Sequence, residues 1–284
     1  MEHKIHFYCI NLKHRTDRWN GFSNQPAVQA IKEKYSFERF DAISGSTLDI
    51  QNDTRISLRT KRNIKESTRR EHEDINTVGG IGCYLSHVEL WKKVADGSEP
   101  FAIIFEDDTE LPDDFLPVFE KCFNDKNLLP EMPDVWTFSY GWPFYYDTRG
   151  LKYPQDRTEN QRGPWIFNTC PGGLNGYFIT KEGAKKLVET AFPIDMHVDL
   201  YICLCTELKR ISCVAHKDLI LSLLTESEKS DIQLPAECAI CDLPSNYKQR
   251  GIVTVNMPIL AVAVICLYFL SLVTQRGRGL RSAP

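Results

Sequence analysis

The sequence predicts an α/β domain with a mostly parallel central sheet, followed by an apolar C-terminal helix long enough to cross a membrane. Three observations carry this. From residue 4 to about residue 225, short runs rich in β-formers alternate with stretches of helical periodicity, the pattern of strands joined by helices. The clearest helical stretch, 81–95, leads into the unbroken apolar run 101–105 (FAIIF), which suits a strand buried on both faces. No charged residue stands between Arg250 and Arg276.

The chain has 284 residues, 42% of them hydrophobic and 11% aromatic. That is enough apolar material for a packed core and excludes disordered, collagen-like and disulfide-only classes. A net charge of −4 (34 basic against 38 acidic residues) argues against a whole-protein nucleic-acid binder and leaves room for a local basic site. Ten cysteines are present, with one CxxC at Cys238 and Cys241 and one CxC at Cys203 and Cys205. A structural zinc site needs four suitably spaced ligands, and no second CxxC exists, so reduced, mostly buried thiols are expected.

Taken in order, 4–12 alternates as a first strand and runs into the basic segment 13–19 (KHRTDRW). Open α/β folds place ligands at such strand ends. A short helix follows around 28–35 and a second strand at 37–43. Residues 55–70 carry seven Lys or Arg against one Glu with little apolar periodicity, and read as a solvated loop or flap able to meet an anion. In 81–95, Ile81, Tyr84, Leu85, Val88, Trp91 and Ala95 fall at i, i+3, i+4 spacing and give one buried face. Beyond the strand at 101–105, a helix is expected over 113–123 and a strand at 135–139. The aperiodic segment 141–168 reads as a long functional loop. A strand at 175–180, helices at 181–191 and 199–208, and a strand at 211–215 complete the body. The expected organisation is an α/β domain at 1–230, a linker at 231–251, a membrane-spanning helix at 252–274 and a basic tail at 275–284.

Within 252–273 only Thr254, Asn256, Tyr268 and Ser271 are polar, and roughly 20 apolar residues suffice to span a bilayer. The alternating N-terminal segment lacks the apolar core of a cleavable signal. The expected arrangement is therefore a single-pass C-terminal anchor with the body facing the cytosol.

The chemistry-bearing feature is Glu106-Asp107-Asp108, directly after FAIIF. Adjacent carboxylates raise one another's pKa, and a divalent cation relieves the repulsion. Mg2+ and Mn2+ take oxygen ligands, commonly one or two carboxylates together with phosphates. Continued extended backbone would put Glu106 and Asp108 on one side and Asp107 on the other. Asn11, Arg15 and Arg18 stand at the end of the first strand, where an arginine can grip a phosphate or pair with Asp17 or Asp41. Ser86 and His87 lie on the 81–95 helix; His87 can meet a phosphate or a metal, or be structural. Gly172, Gly173 and Gly176 flank Leu174 and Asn175 and either allow close backbone approach to a ligand or form an ordinary turn. Asp195, His197 and Asp199 alternate after Pro193, and either carboxylate can serve as a general base within hydrogen-bond reach of its proton.

INLKHRTDRW at 10–19, GGIGCYLSHVELWKKV at 79–94, FAIIFEDD at 101–108, GGLNGYFITKEGAKKLVE at 172–189 and PIDMHVD at 193–199 occur in an order that resembles glycosyltransferase family 25. That family includes lipooligosaccharide and procollagen galactosyltransferases. The resemblance covers about residues 4–225 and implies a GT-A-like nucleotide-sugar-binding domain, a UDP-sugar donor and a divalent metal, usually Mn2+ or else Mg2+. It implies an inverting transfer of a hexose, galactose or glucose, to a glycan or protein hydroxyl. By this resemblance Glu106 and Asp108 would hold the metal. Asn11, Arg15, Arg18, Ser86, His87, Asp107 (on the ribose or behind the metal ligands), Gly173 and Asn175 would hold the donor, and Asp199 or Asp195 would be the base. Leu174 departs from the small polar residue that relatives commonly carry. A noncatalytic membrane-held scaffold and a nuclease are the competing classes; the acidic triplet with its arginines disfavours the first, the overall acidic charge the second.

Overall fold

Strand β1 (Ile5–Asn11) lies between β2 (Ser36–Asp41) and β3 (Phe101–Glu106) and runs parallel to both. These strands come from a computed structural model that describes residues 5–69, 74–124, 132–139, 161–167, 171 and 173–223. The chain divides into two units, Met1–Cys238 and Ala239–Pro284, and every described residue belongs to the first.

The remaining elements are α1 (Thr16–Ser23), α2 (Pro26–Lys34), α3 (Leu58–Glu66), α4 (Val78–Asp96), β4 (Thr109–Glu110), α5 (Phe115–Phe123), β5 (Val135–Thr137), β6 (Gln161–Arg162), β7 (Trp165–Phe167), β8 (Gly176–Thr180), α6 (Lys181–Glu189), α7 (Val198–Glu207), β9 (Cys213–His216) and β10 (Ser222–Leu223). The main sheet has the order β2-β1-β3-β8-β5-β9-β7-β6, and β10 pairs with β4 apart from it.

The sheet is mixed. β1 pairs parallel with β2 and β3, as does β5 with β9, whereas β8 runs antiparallel to both its neighbours, β3 and β5. β5 ends at Thr137 opposite Tyr177, near the start of β8. The chain between them therefore returns at the same end of the sheet and needs no crossover helix.

Period-two alternation divides the core. Phe7, Cys9, Ile103 and Phe105 face one side with Phe22, Val28, Ile31, Phe115 and Phe119. Tyr8, Ile10 and Ile104 face the other with Leu85, Val88, Trp91 and Ile202. The result is three layers, with α4, α6 and α7 on one face and α1, α2 and α5 on the other. Trp136 anchors the far part of the sheet, stacked on Phe119 at 5.5 Å and edge-on to Trp165 at 4.9 Å, geometries that aromatic rings prefer.

The flap expected at 55–70 and the basic segment 13–19 both contain helical residues. Residues 58–66 form α3, because the Ser57 hydroxyl caps it by accepting from Thr60 N and Ser67 closes it in the left-handed conformation at φ 52°. Its buried residues are polar, Thr60 and Asn63, so apolar periodicity is silent. Within the basic segment 13–19 the chain turns into α1 at Thr16, which buries Phe22 and Ser23. Of the expected loop 141–168, residues 161–167 carry β6 and β7 and the rest lies outside the described residues.

Cys9, Cys83, Cys122, Cys203, Cys205 and Cys213 are free. The run 252–274, the linker 231–251, the basic tail 275–284 and the Cys238/Cys241 pair lie outside the described residues. Among the described residues no helix is long and apolar enough to cross a membrane.

Candidate functional site

The carboxyl ends of β1 and β3 open into a cavity of about 280 Å3, close to the small end of the range for ligand sites. Ile10, Asn11 and Leu12 form one side, Glu106, Asp107 and Asp108 the floor, and Cys83, Ser86 and His87 of α4 another side. Residues 42–46, His14 and the first turn of α4, Val78 and Gly79, complete it, with Arg18.

The wall depends on two glycines. A Cβ at Gly45 would lie 1.7 Å from the Val78 carbonyl oxygen, and one at Gly82 would lie 2.5 Å from the Ile43 carbonyl oxygen. The same approach is tied by Ser86, whose Oγ accepts from Ile43 N at 2.8 Å and donates to Gly82 O at 2.6 Å. Ser86 thus lines the cavity with its hydroxyl already engaged.

β3 ends at Glu106, and Asp107 and Asp108 turn away from extended geometry. The Glu106 amide donates to Asn175 O at 2.9 Å, and the buried Thr109 hydroxyl donates to the same oxygen. Asn175 therefore holds both ends of the triplet through its backbone. Gly173, at φ +105°, accepts at its carbonyl from Ser139 Oγ at 3.0 Å. Neither Gly173 nor Asn175 lines the cavity, and Gly172 lies outside the described residues.

Asp107 is buried. Its carboxylate accepts from Asn11 Nδ2 and from Arg18 Nη1, the latter at 3.1 Å. Arg18 Nη1 also reaches Asp108 Oδ2 at 3.4 Å, while Asp108 Oδ1 is buried without a hydrogen-bond partner. Burial pushes the Asp107 carboxyl upward against the pull of Asn11 and Arg18. Burial, reinforced by the Glu106 charge, pushes Asp108 up to about 7.

Sequence reasoning missed Arg39. Its guanidinium donates to Asn11 Oδ1 and to Lys13 O at 3.1 Å and lies 5.1 Å from the Trp19 ring centre. It thereby fixes which end of the Asn11 amide faces Asp107. Arg15, in contrast, turns its guanidinium to Asp17, at 3.0 Å from Nε and 2.9 Å from Nη2, and does not line the cavity.

Behind Glu106 stands a buried polar chain. Trp91 Nε1 donates to the Tyr177 hydroxyl at 2.8 Å, that hydroxyl lies 2.9 Å from His87 Nδ1, and His87 Nε2 lies 3.0 Å from Glu106 Oε1. Ligand atoms of Cys83, His87 and Glu106 lie within 4.8 Å of one another. Residues 83, 87 and 91 recur every four positions along α4, a spacing that could have marked them as one face.

The two candidate bases part company. Asp195 accepts from Ser57 Oγ at 2.6 Å and from Arg59 Nε and Nη2 at 3.1 and 2.8 Å, and lies outside the cavity lining. Asp199 accepts from Leu200 N at 2.9 Å at the start of α7 and, like Asp195, lies outside the cavity lining. Burial raises its pKa, His197 opposes this, and the Glu106 charge adds to it. Burial lowers the pKa of His197, whose ring is 3.6 Å from the Cβ position of Gly80. Asp199 is thus within electrostatic reach of the acidic triplet.

Fold and site together define an α/β protein whose parallel strand ends present three carboxylates and an arginine to one cavity. The model of glycosyltransferase family 25 (LPS biosynthesis protein) matches residues 4–202, and the chain belongs to that family. It is 28% identical over 186 residues to procollagen galactosyltransferase 1-A of Xenopus laevis, covering 64% of this chain and 27% of that protein. It is 27% identical over 185 residues to procollagen galactosyltransferase 2 of Homo sapiens, with 64% and 27% covered. A glycosyltransferase 25 family member of Aedes aegypti is 26% identical over 206 residues, with 69% and 30% covered. The chain thus spans less than a third of the length of these relatives. Among solved structures, apo mouse xyloside xylosyltransferase 1 is a distant likeness, with a TM-score of 0.35, 10% identity, and 75% of this chain and 84% of that one covered.

Proposed function

We propose that this chain is a metal-dependent, inverting glycosyltransferase with a GT-A-like domain that moves a hexose, galactose or glucose, from a UDP-sugar to a hydroxyl of a glycan or protein acceptor. The observation that carries the reading is Asp108. A half-buried carboxylate with one oxygen buried and unpartnered and a pKa pushed to about 7 beside Glu106 is the arrangement a cation relieves. The oxygen donors of Glu106 and Asp108 suit Mn2+ or Mg2+, and these two residues would hold the ion. Such an ion supplies Lewis acidity to a departing diphosphate.

The chain's own groups have complementary tasks. Arg18, held between Asp107 and Asp108 in the cavity lining, adds a permanent positive charge for the diphosphate. Thr77 caps α4 by accepting from Gly80 N, so the backbone donors of its first turn, which lines the cavity, favour anionic groups. Asn11, set by Arg39, keeps Asp107 pointed at Arg18. Asp199 takes the proton from the acceptor hydroxyl; burial raises its pKa and makes it a stronger base. We further read 252–274 as a single-pass membrane anchor, supported by its length and lack of charge, with the catalytic domain on the cytosolic side.

The test is incubation of the full chain with Mn2+ and a panel of UDP-sugars, scoring UDP release, alongside calorimetric titration of UDP. Turnover should appear with at least one sugar, and Asp108→Asn should reduce it by about 100-fold or more, on the scale of losing one transition-state contact. No turnover together with no UDP binding would overturn the enzyme reading in favour of a scaffold.

A further inference from the structure

We propose that Trp91 and Tyr177 lock the His87 ring as its Nε2–H tautomer, and that this N–H holds Oε1 of Glu106 so that the other carboxylate oxygen is presented to the cavity. His87 is then a positioning residue for a cation-binding carboxylate rather than a ligand. The inference rests on the reading of Glu106 as a cation ligand.

The direction of the chain follows from counting protons. Trp91 Nε1 is a donor only, so at 2.8 Å the Tyr177 oxygen accepts from it. The hydroxyl has one proton to give, and its other partner is His87 Nδ1 at 2.9 Å. Trp91, Tyr177 and His87 are each 0% exposed, so water does not reach the chain to offer an alternative. Nδ1 therefore accepts, and in the neutral ring the proton sits on Nε2. Nε2 faces Glu106 Oε1 at 3.0 Å, where a donor is what a carboxylate requires.

The same count bears on the Cys83, His87 and Glu106 cluster, whose ligand atoms are close enough to surround an ion. For Nε2 to ligate, Nδ1 would have to carry the proton and donate to Tyr177. The tyrosine oxygen would then accept twice, and its own proton would have no acceptor among the described residues, a costly arrangement in a dry interior. The tautomer thus turns the His87 lone pair away from the cavity and leaves cation binding to oxygen.

Two measurements on the full chain test this. In ring-15N-labelled protein, two-bond 15N–1H correlation should show His87 as Nε2–H without metal, and the same tautomer in Glu106→Gln, whose amide can accept or donate. An Nδ1–H ring in the wild type, or a tautomer that flips in E106Q, overturns the lock. Calorimetric titration with Mn2+ then separates the two ends of the ring. His87→Gln can still donate to Glu106, so its Kd should stay within about threefold of wild type. His87→Asn retains an acceptor for Tyr177 but falls short of Glu106, so its Kd should weaken by about tenfold or more, the scale seen for groups that orient a ligand. Equal loss in both variants, or no loss in H87N, overturns the positioning role. A wild-type protein that binds no Mn2+ sinks the cation reading instead, and the tautomer results still decide the lock.

Discussion

Asn11 and Asp107, 96 positions apart, join the ends of β1 and β3 through a hydrogen bond from the Asn11 amide to the Asp107 carboxylate. The other end of that amide accepts from Arg39. Parallel pairing aligns Ile10 with Glu106, so the two strand ends arrive side by side and the contact needs no loop of its own.

Asn11→Leu should therefore be destabilising despite its similar size. It removes a donor from buried Asp107 and an acceptor from Arg39, and leaving a buried polar group unpaired costs about 1–3 kcal/mol. Urea unfolding should show a lower midpoint with an unchanged slope, the mark of a stability change alone. A midpoint equal to wild type would show that the contact carries no net stability.

The cavity wall gives a contrast between glycines. Gly45→Ala would drive a Cβ to 1.7 Å from the Val78 carbonyl oxygen, and backbone cannot yield as a side chain can. The expected loss is about 3 kcal/mol, at the upper end of ordinary overpacking. Gly21, within α1, has nothing within 4 Å of its Cβ position. Gly21→Ala should stabilise by up to about 1 kcal/mol through helix propensity. Thermal melts of both variants check this, and equal effects would contradict the close approach of 43–45 to α4.

What was legible in the sequence was what local periodicity encodes. β1, β3 and α4 follow from alternation, an unbroken apolar run and i, i+4 spacing, and the acidic triplet could be placed because FAIIF sets the strand end. What escaped depends on partners distant in the chain. Arg39 lies on β2, whose residues are all exposed or only partly buried, so no pattern singled it out, yet it reaches Asn11 28 positions away. Tyr177 meets His87 across 90 positions. Asp195 and Asp199 look equivalent in the sequence and differ only because α3, a helix with a polar buried face, delivers Ser57 and Arg59 to Asp195.

Acid should weaken one local tie. The Arg55 guanidinium beside Asp53, at 3.1 Å from Nε and 2.7 Å from Nη2, holds the Asp53 carboxyl below its ordinary value. A depressed folded-state pKa contributes stability above the unfolded value of about 3.9, and that contribution is lost as pH falls through the folded value. Arg55 is 38% exposed, so solvent and salt screen the pair, and its worth is below about 1 kcal/mol. Stability measured against pH for wild type and Asp53→Asn should differ above pH of about 4 and converge below it. Curves that stay parallel into acid would refute the linkage.

The choice between the two carboxylates after Pro193 is open to a direct comparison. Asp195 is already committed to Ser57 Oγ and to both arms of the Arg59 guanidinium, so Asp195→Asn should cost stability, about 1 kcal/mol for a partly exposed pair, while transfer per folded molecule stays near wild type. Among the described residues the Asp199 carboxylate accepts from the Leu200 amide alone, and its charge interacts with Glu106. Asp199→Asn should keep UDP binding and the fold but lower kcat by about 100-fold or more, the range for removing a general base. Turnover by Asp199→Asn at the wild-type rate, or loss of turnover confined to Asp195→Asn, would transfer the role of base to Asp195.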